Sequence, residues 1–216
     1  MNNQEKNKHR FSGPVRTFAV VGILLSAACL MALGAGSTLK QAEAVMPAKQ
    51  VKKDSVTSVK AFQQVYRVLM SPRCMNCHPA GDVPLQGEDS HLHAMLPKRG
   101  LDGKGVTAMK CMNCHQPTNT PGKNTPPGDP NWHLPPANMK MVFQGRSAYE
   151  LAKQLLDPKQ NGNKDLKKLI AHADDGLVKA GWNPGEGRAL PPLSHAEFKK
   201  AWITWLNTGA YAPKDK

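Results

Sequence analysis

The five-residue word Cys-Met-Asn-Cys-His occurs twice, at Cys74-Met75-Asn76-Cys77-His78 and at Cys111-Met112-Asn113-Cys114-His115. Nothing else in the chain constrains the fold as strongly. In a Cys-x-x-Cys-His word the two thiols reach the vinyl groups on one edge of a porphyrin and form thioethers. The adjacent imidazole swings beneath the iron as proximal ligand. Two such words predict two covalently held haems c, with Cys74, Cys77, Cys111 and Cys114 as attachment points and His78 and His115 as iron ligands. The chain has five Cys, and the fifth, Cys29, lies near the N-terminus, so the words consume all the others and leave none for disulfides. No longer repeat surrounds the words, which makes this a duplicated site rather than a solenoid.

Zinc and disulfides are the competing uses of paired thiols. The 33 residues between Cys77 and Cys111 exceed the spacing common in zinc ribbons, and zinc does not require the trailing His. Two disulfides would leave the placement of those His unexplained.

The N-terminal segment points to export. Lys6, Lys8, Arg10 and Arg16 precede an uncharged run over residues 18–36, and Ala42-Glu43-Ala44 then fits signal-peptidase cleavage. The run has 19 residues, long enough to span a bilayer, so residues 1–44 read as a signal peptide or a retained membrane anchor. Both place the rest of the chain in the periplasm, soluble or tethered to the inner membrane. A lipoprotein at Cys29 fits poorly, because Ser26 stands where a lipobox prefers Leu.

Without residues 1–44, which hold five Lys/Arg and two Glu, the formal charge falls from +13 to +10. The basic residues are scattered, with no aromatic-interleaved stripe, which argues against nucleic-acid binding. Haem propionates would offset part of the charge, and the remainder would steer an acidic redox partner.

Residues 45–55 read as a polar linker and 56–212 as one di-haem domain. Phe62, Val65, Tyr66 and Leu69 share a helical face over residues 56–70, and Pro72 ends it. Ser147 with Glu150 forms a capping box for a helix to residue 156, stopped by Pro158. A short helix fits residues 165–173. Ser194 with Glu197 opens a final helix whose Phe198, Trp202, Trp205 and Leu206 form a packing face, and Gly209 closes it. Residues 79–145 hold most of the Gly and Pro and read as loops wrapped over the cofactors. The expected fold is mostly α with long loops, a compact di-haem cytochrome c-like domain with little or no sheet.

Each iron then needs a sixth ligand. His93 and His172 rank first, followed by His133 in the stiff Trp132-His133-Leu134-Pro135-Pro136 loop, then Met139 beyond the prolines. His91 lies two residues from His93, so one of the pair is expected to reach an iron. His195, next to a helix cap, reads as a surface position. A His/Met pair would raise the reduction potential relative to His/His.

Beyond the haem words, the chain resembles the periplasmic c-type cytochromes known as isoquinoline 1-oxidoreductase subunits. The shared words are Arg99-Gly100, Gly103-x-Gly105, Pro127-Gly128 with Trp132, Asp157-Pro158 with Asn161-Gly162, His172 with Asp175, and Gly181-Trp182-Asn183-Pro184-Gly185 with Arg188. The resemblance implies a cytochrome that accepts electrons from a molybdenum-dependent oxidoreductase acting on N-heterocycles or aldehydes. The chain carries no molybdenum-cofactor or iron–sulfur motif of its own. No general base or nucleophile constellation is visible either. A carrier of electrons between redox protein partners is therefore the first expectation. The alternatives are a small haem peroxidase with one open iron, and a di-haem subunit of the nitrate-reductase type.

Overall fold

A computed structural model describes residues 53–215; the expected leader and most of the expected linker lie outside the described residues. Among the described residues six α-helices are present: α1 (Ser55–Leu69), α2 (Pro72–Met75), α3 (Ala148–Leu156), α4 (Leu166–His172), α5 (Gly176–Ala180) and α6 (His195–Asn207). Helix accounts for about a third of the described residues, and there is no barrel. The strands are two antiparallel hairpins of two-residue strands, β1 (Leu85–Gln86) with β2 (His91–Leu92), and β3 (Gly105–Val106) with β4 (Met109–Lys110). Among the described residues no helix is long and apolar enough to cross a membrane.

The helices begin where local chemistry starts them. Asp54 caps α1 by accepting the Thr57 N–H at 3.0 Å, so the expected linker ends earlier than residue 55. Ser147 and Ser194 each close a capping box with the Glu three residues on, which satisfies N–H groups that the first helical turn leaves open. Gly209, at φ +113°, follows α6 in a conformation that suits glycine.

One core joins these helices. Phe62, Val65, Val68 and Leu69 of α1 pack with Leu151, Ala152 and Leu155 of α3, Leu169 of α4, and Phe198, Trp202, Trp205 and Leu206 of α6. Phe62 and Trp205 meet with centroids 4.6 Å apart. The indoles also satisfy their polar ends: Trp202 Nε1 donates to the Leu169 carbonyl at 2.7 Å, and Trp205 Nε1 to the Tyr211 carbonyl at 3.1 Å. The Trp202 bond fixes α4 on α6, and α4 ends in His172.

Residues 79–145 are irregular, as the Gly and Pro content implies, yet they are tied down by specific bonds. Arg99 is 1% exposed and donates to the Pro135 carbonyl at 2.6 Å and the Gly81 carbonyl at 3.0 Å. Its Nε has no hydrogen-bond partner and lies 3.7 Å from Asp82 Oδ1. A buried guanidinium with two carbonyl acceptors clamps three separate loop segments. Gly103 and Gly128 serve close approach instead: a Cβ on either would collide with a backbone carbonyl, of Leu134 and Thr118 respectively.

Candidate functional site

Both Cys-Met-Asn-Cys-His words are wound into single turns. Pro72 occupies the first position of α2, where its missing N–H costs nothing, and the Cys77 N–H then bonds the Cys74 carbonyl at 3.2 Å. The second word opens a 3₁₀ turn over Cys111–Asn113, and the Cys114 N–H bonds the Cys111 carbonyl at 3.2 Å. Cys separated by two residues thus lie about one turn apart, with the His just beyond.

The two histidines have matched surroundings. His78 Nδ1 lies 2.7 Å from the Met141 carbonyl, and its ring stacks on Phe143 at 3.9 Å and 11°. His115 Nδ1 lies 2.7 Å from the Pro127 carbonyl, and its ring stacks on Trp132 at 4.2 Å and 6°. A carbonyl oxygen only accepts, so each Nδ1 carries the proton and donates it, leaving Nε2 as a lone-pair donor. That arrangement prepares an imidazole for a metal. Phe143 is 4% exposed and belongs to the hydrophobic core, so the core itself holds His78 in place.

Electrostatics reinforce the neutral imidazoles. Burial pushes His78 down to about 4; the Met141 carbonyl works against this, and His172 and then Arg99 lower it further. His115 is lowered by burial, raised in part by the Pro127 carbonyl, and lowered again by His93 and Arg188. Each word-borne His therefore has a second His within electrostatic reach, His172 for the first and His93 for the second. The thiols of the first word are held neutral as well. Burial pushes Cys74 up to about 12, and Cys77 up to about 11, where Arg73 opposes the shift and the Cys111 thiol adds to it. The two words are thus electrostatic neighbours.

The His93 and His115 rings are 6.4 Å apart between centroids, at 68°. His93 is carried just past β2, where its N–H bonds the Pro84 carbonyl at 2.9 Å. Asn76, inside the first word, donates to the Gly87 carbonyl in the same hairpin at 3.0 Å. The hairpin rooted on the first word therefore delivers the imidazole that faces the second. His172, at the end of α4, donates Nδ1–H to Asp175 Oδ2 at 2.5 Å.

The remaining candidates lie elsewhere. His91 is half-exposed and bonds Asp89 at 2.6 Å. His133 Nδ1 is engaged by the Asn131 carbonyl in its own loop. The Met139 sulfur packs at Gly162. His195 is partly buried, not a free surface residue: its Nε2 meets the Ala173 carbonyl at 2.8 Å and its ring abuts Trp182 at 4.9 Å. That bond joins α6 to the residue after His172.

Sequence reasoning missed the two carbonyls and Phe143, since main-chain acceptors leave no mark in a sequence. Trp132, Asp175, Arg99 and Arg188 stood among the resemblance words without a stated role. Arg188 donates to the Pro184 carbonyl at 3.1 Å and the Thr125 carbonyl at 2.7 Å. Among the described residues no group of three or more His, Cys, Asp and Glu side chains is gathered to hold a bare metal ion. No family model, curated protein or solved structure matches the chain.

Proposed function

We propose that the chain is an exported electron carrier with two covalently attached haems c, one at Cys74, Cys77 and His78 and one at Cys111, Cys114 and His115. The observation that carries this reading is the pairing of imidazoles. Each attachment word presents a His whose Nε2 is free; His93 stands beside His115, and His172 lies within electrostatic reach of His78. Two imidazoles that share one metal through bonds of about 2 Å place their centroids about 6 Å apart. The 6.4 Å between His93 and His115 fits that span. His172 takes the corresponding role for His78, and His133 and Met139 remain the alternatives it must be tested against.

The residues present fit a haem better than a bare ion, because a porphyrin supplies the equatorial ligands and asks the chain only for two axial groups. Haem iron supplies one-electron chemistry; the chain supplies ligation, burial and spacing. Irons closed on both faces favour transfer over peroxide chemistry, which needs an open face. On this reading the fold is a compact di-haem cytochrome c-like domain in the periplasm, released from its leader or tethered by it. Its partners are redox proteins, and the resemblance names a molybdenum-dependent oxidoreductase as donor.

The test is the intact mass of the chain made with a cytochrome c maturation system, together with a reduced-minus-oxidised spectrum and a spin-state assignment. The expected product exceeds the polypeptide by two haem masses and is low-spin throughout. A colourless zinc protein overturns the reading. One high-spin, peroxide-reactive haem moves it to an enzyme.

A further inference from the structure

We infer that the pinned loop and hairpin over residues 98–110 are the docking face for an acidic redox protein, with Leu101 as its apolar anchor and the haem at Cys111 and Cys114 as the point where electrons cross. The inference rests on the di-haem reading above.

Leu101 is 89% exposed, more than any other large apolar side chain among the described residues. The backbone that carries it is fixed on both sides. The Ala137 N–H bonds the Leu101 carbonyl at 3.1 Å, the Leu134 N–H bonds the Gly103 carbonyl at 2.9 Å, and the Gly105 N–H bonds the carbonyl of buried Arg99 at 2.9 Å. Gly100 and Gly103, at φ +72° and +79°, fold the loop so tightly that a Cβ on either would collide with a backbone carbonyl, of Gly105 and Leu134 respectively. Gly105 opens β3, so the loop carrying Leu101 lies against the hairpin of β3 and β4. There Val106 and Met109 are cross-strand partners that project from one face, and they are 42% and 37% exposed. An apolar side chain presented by a fixed backbone loses little conformational freedom when a partner covers it.

Charge selects the kind of partner. Lys98, Lys104 and Lys110 are exposed in this segment against one carboxylate, Asp102, which accepts the Lys104 N–H at 3.0 Å. A second copy of the chain would set these Lys against themselves, so a surface of carboxylates around an apolar patch is the complement. The segment also leads straight into the second attachment word, where the Cys111 N–H bonds the Lys104 carbonyl at 3.1 Å. Cys114 is the one exposed attachment thiol, whereas Cys74 and Cys77 are more enclosed. A partner seated on Leu101, Val106 and Met109 would stand beside the more open of the two thioether edges. The step is one electron: the partner is oxidised as ferric iron at the second site is reduced, with no bond formed or broken and no proton moved.

The experiment is stopped-flow reduction of the oxidised di-haem holoprotein by a reduced acidic flavodoxin, a protein probe of the inferred chemistry, over a range of ionic strength. For the parent the second-order rate should fall as salt rises. Lys98→Gln, Lys104→Gln and Lys110→Gln together should cut the rate about tenfold at low salt and flatten its salt dependence. Leu101→Ser should cut it about fivefold at every salt concentration. Leu190→Ser, at a side chain 61% exposed elsewhere in the chain, should leave it unchanged. Haem content and spectra should match the parent in all three. An equal loss in a Lys159→Gln, Lys167→Gln, Lys168→Gln variant, no loss in Leu101→Ser, or a parent that dimerises through Leu101 overturns the inference. So does slow radical labelling of Leu101 in the isolated holoprotein, which would mean that the chain's own haem covers it. These outcomes in a two-haem protein leave the carrier reading standing, whereas a parent protein without two haems overturns that reading itself.

Discussion

Replacing His93 with Ala removes one of two imidazoles that face each other at 6.4 Å. On the proposed reading, two metal–nitrogen bonds would take about 4 Å of that span and the two ring-centre-to-nitrogen distances together about 2 Å. An Ala methyl cannot cover the gap, so, if the chain carries the two haems proposed, the variant should open one face of the iron that His115 would hold. On the proposed reading, thioethers to Cys111 and Cys114 would hold that haem regardless, so haem content should stay at two per chain. Half of it should become high-spin and bind carbon monoxide, one molecule for every two haems, while the other half keeps its spectrum. The polypeptide alone should lose only about 0.5 kcal/mol, because His93 lies outside the core and makes one long side-chain bond. Carbon monoxide titration with spin-state spectroscopy reads the outcome. If His93→Ala leaves both irons six-coordinate, or if His133→Ala opens a site that His93→Ala does not, the pairing argument fails.

His172→Ala should open the other haem by the same assay, and a protein carrying both substitutions should bind carbon monoxide at both. Phe143→Ala removes a core residue that also stacks on His78; denaturant titration should show a loss of about 3–5 kcal/mol. Trp132→Ala, at a half-buried ring, should cost less in the same titration. Ser194→Ala removes the cap of α6 and should lower stability by about 1 kcal/mol. Bonds from Ser194 hold the Glu197 carboxyl below its ordinary 4.5, and bonds from Ser147 do the same for Glu150. A carboxyl lowered by folding stabilises the fold above its unfolded value, and that contribution is lost as pH falls from about 4.5 through the folded value. Acid titration of the Glu150→Gln, Glu197→Gln double variant, followed by circular dichroism, should therefore show a flatter loss of stability than the parent; an unchanged slope would remove these carboxyls from the account.

The features legible in the amino-acid order are local. The Ser147–Glu150 and Ser194–Glu197 boxes, the α1 face through Phe62 and Val65, and the end of α4 at His172 are all set by contacts within a few residues, so periodicity and capping chemistry reveal them. The attachment words are local too: two Cys three positions apart and the next His fall on one turn whatever the rest of the chain does. The short α2 and α5, and both hairpins, went unread because two to five residues carry no period. Long-range packing set His93 beside His115. The sequence ranked His93 and His172 above His133 and Met139, but where they lie depends on a hairpin pinned to Asn76 and a helix pinned by Trp202, contacts between distant parts of the chain. It placed His195 at the surface because the cap beside it is exposed, whereas packing turns its ring toward Trp182 and the Ala173 carbonyl. The orienting acceptors for His78 and His115 are main-chain carbonyls of Met141 and Pro127, 63 and 12 residues away, and any residue can supply a carbonyl. Side-chain identity writes the chemistry into the sequence; the folded backbone alone chooses its partners.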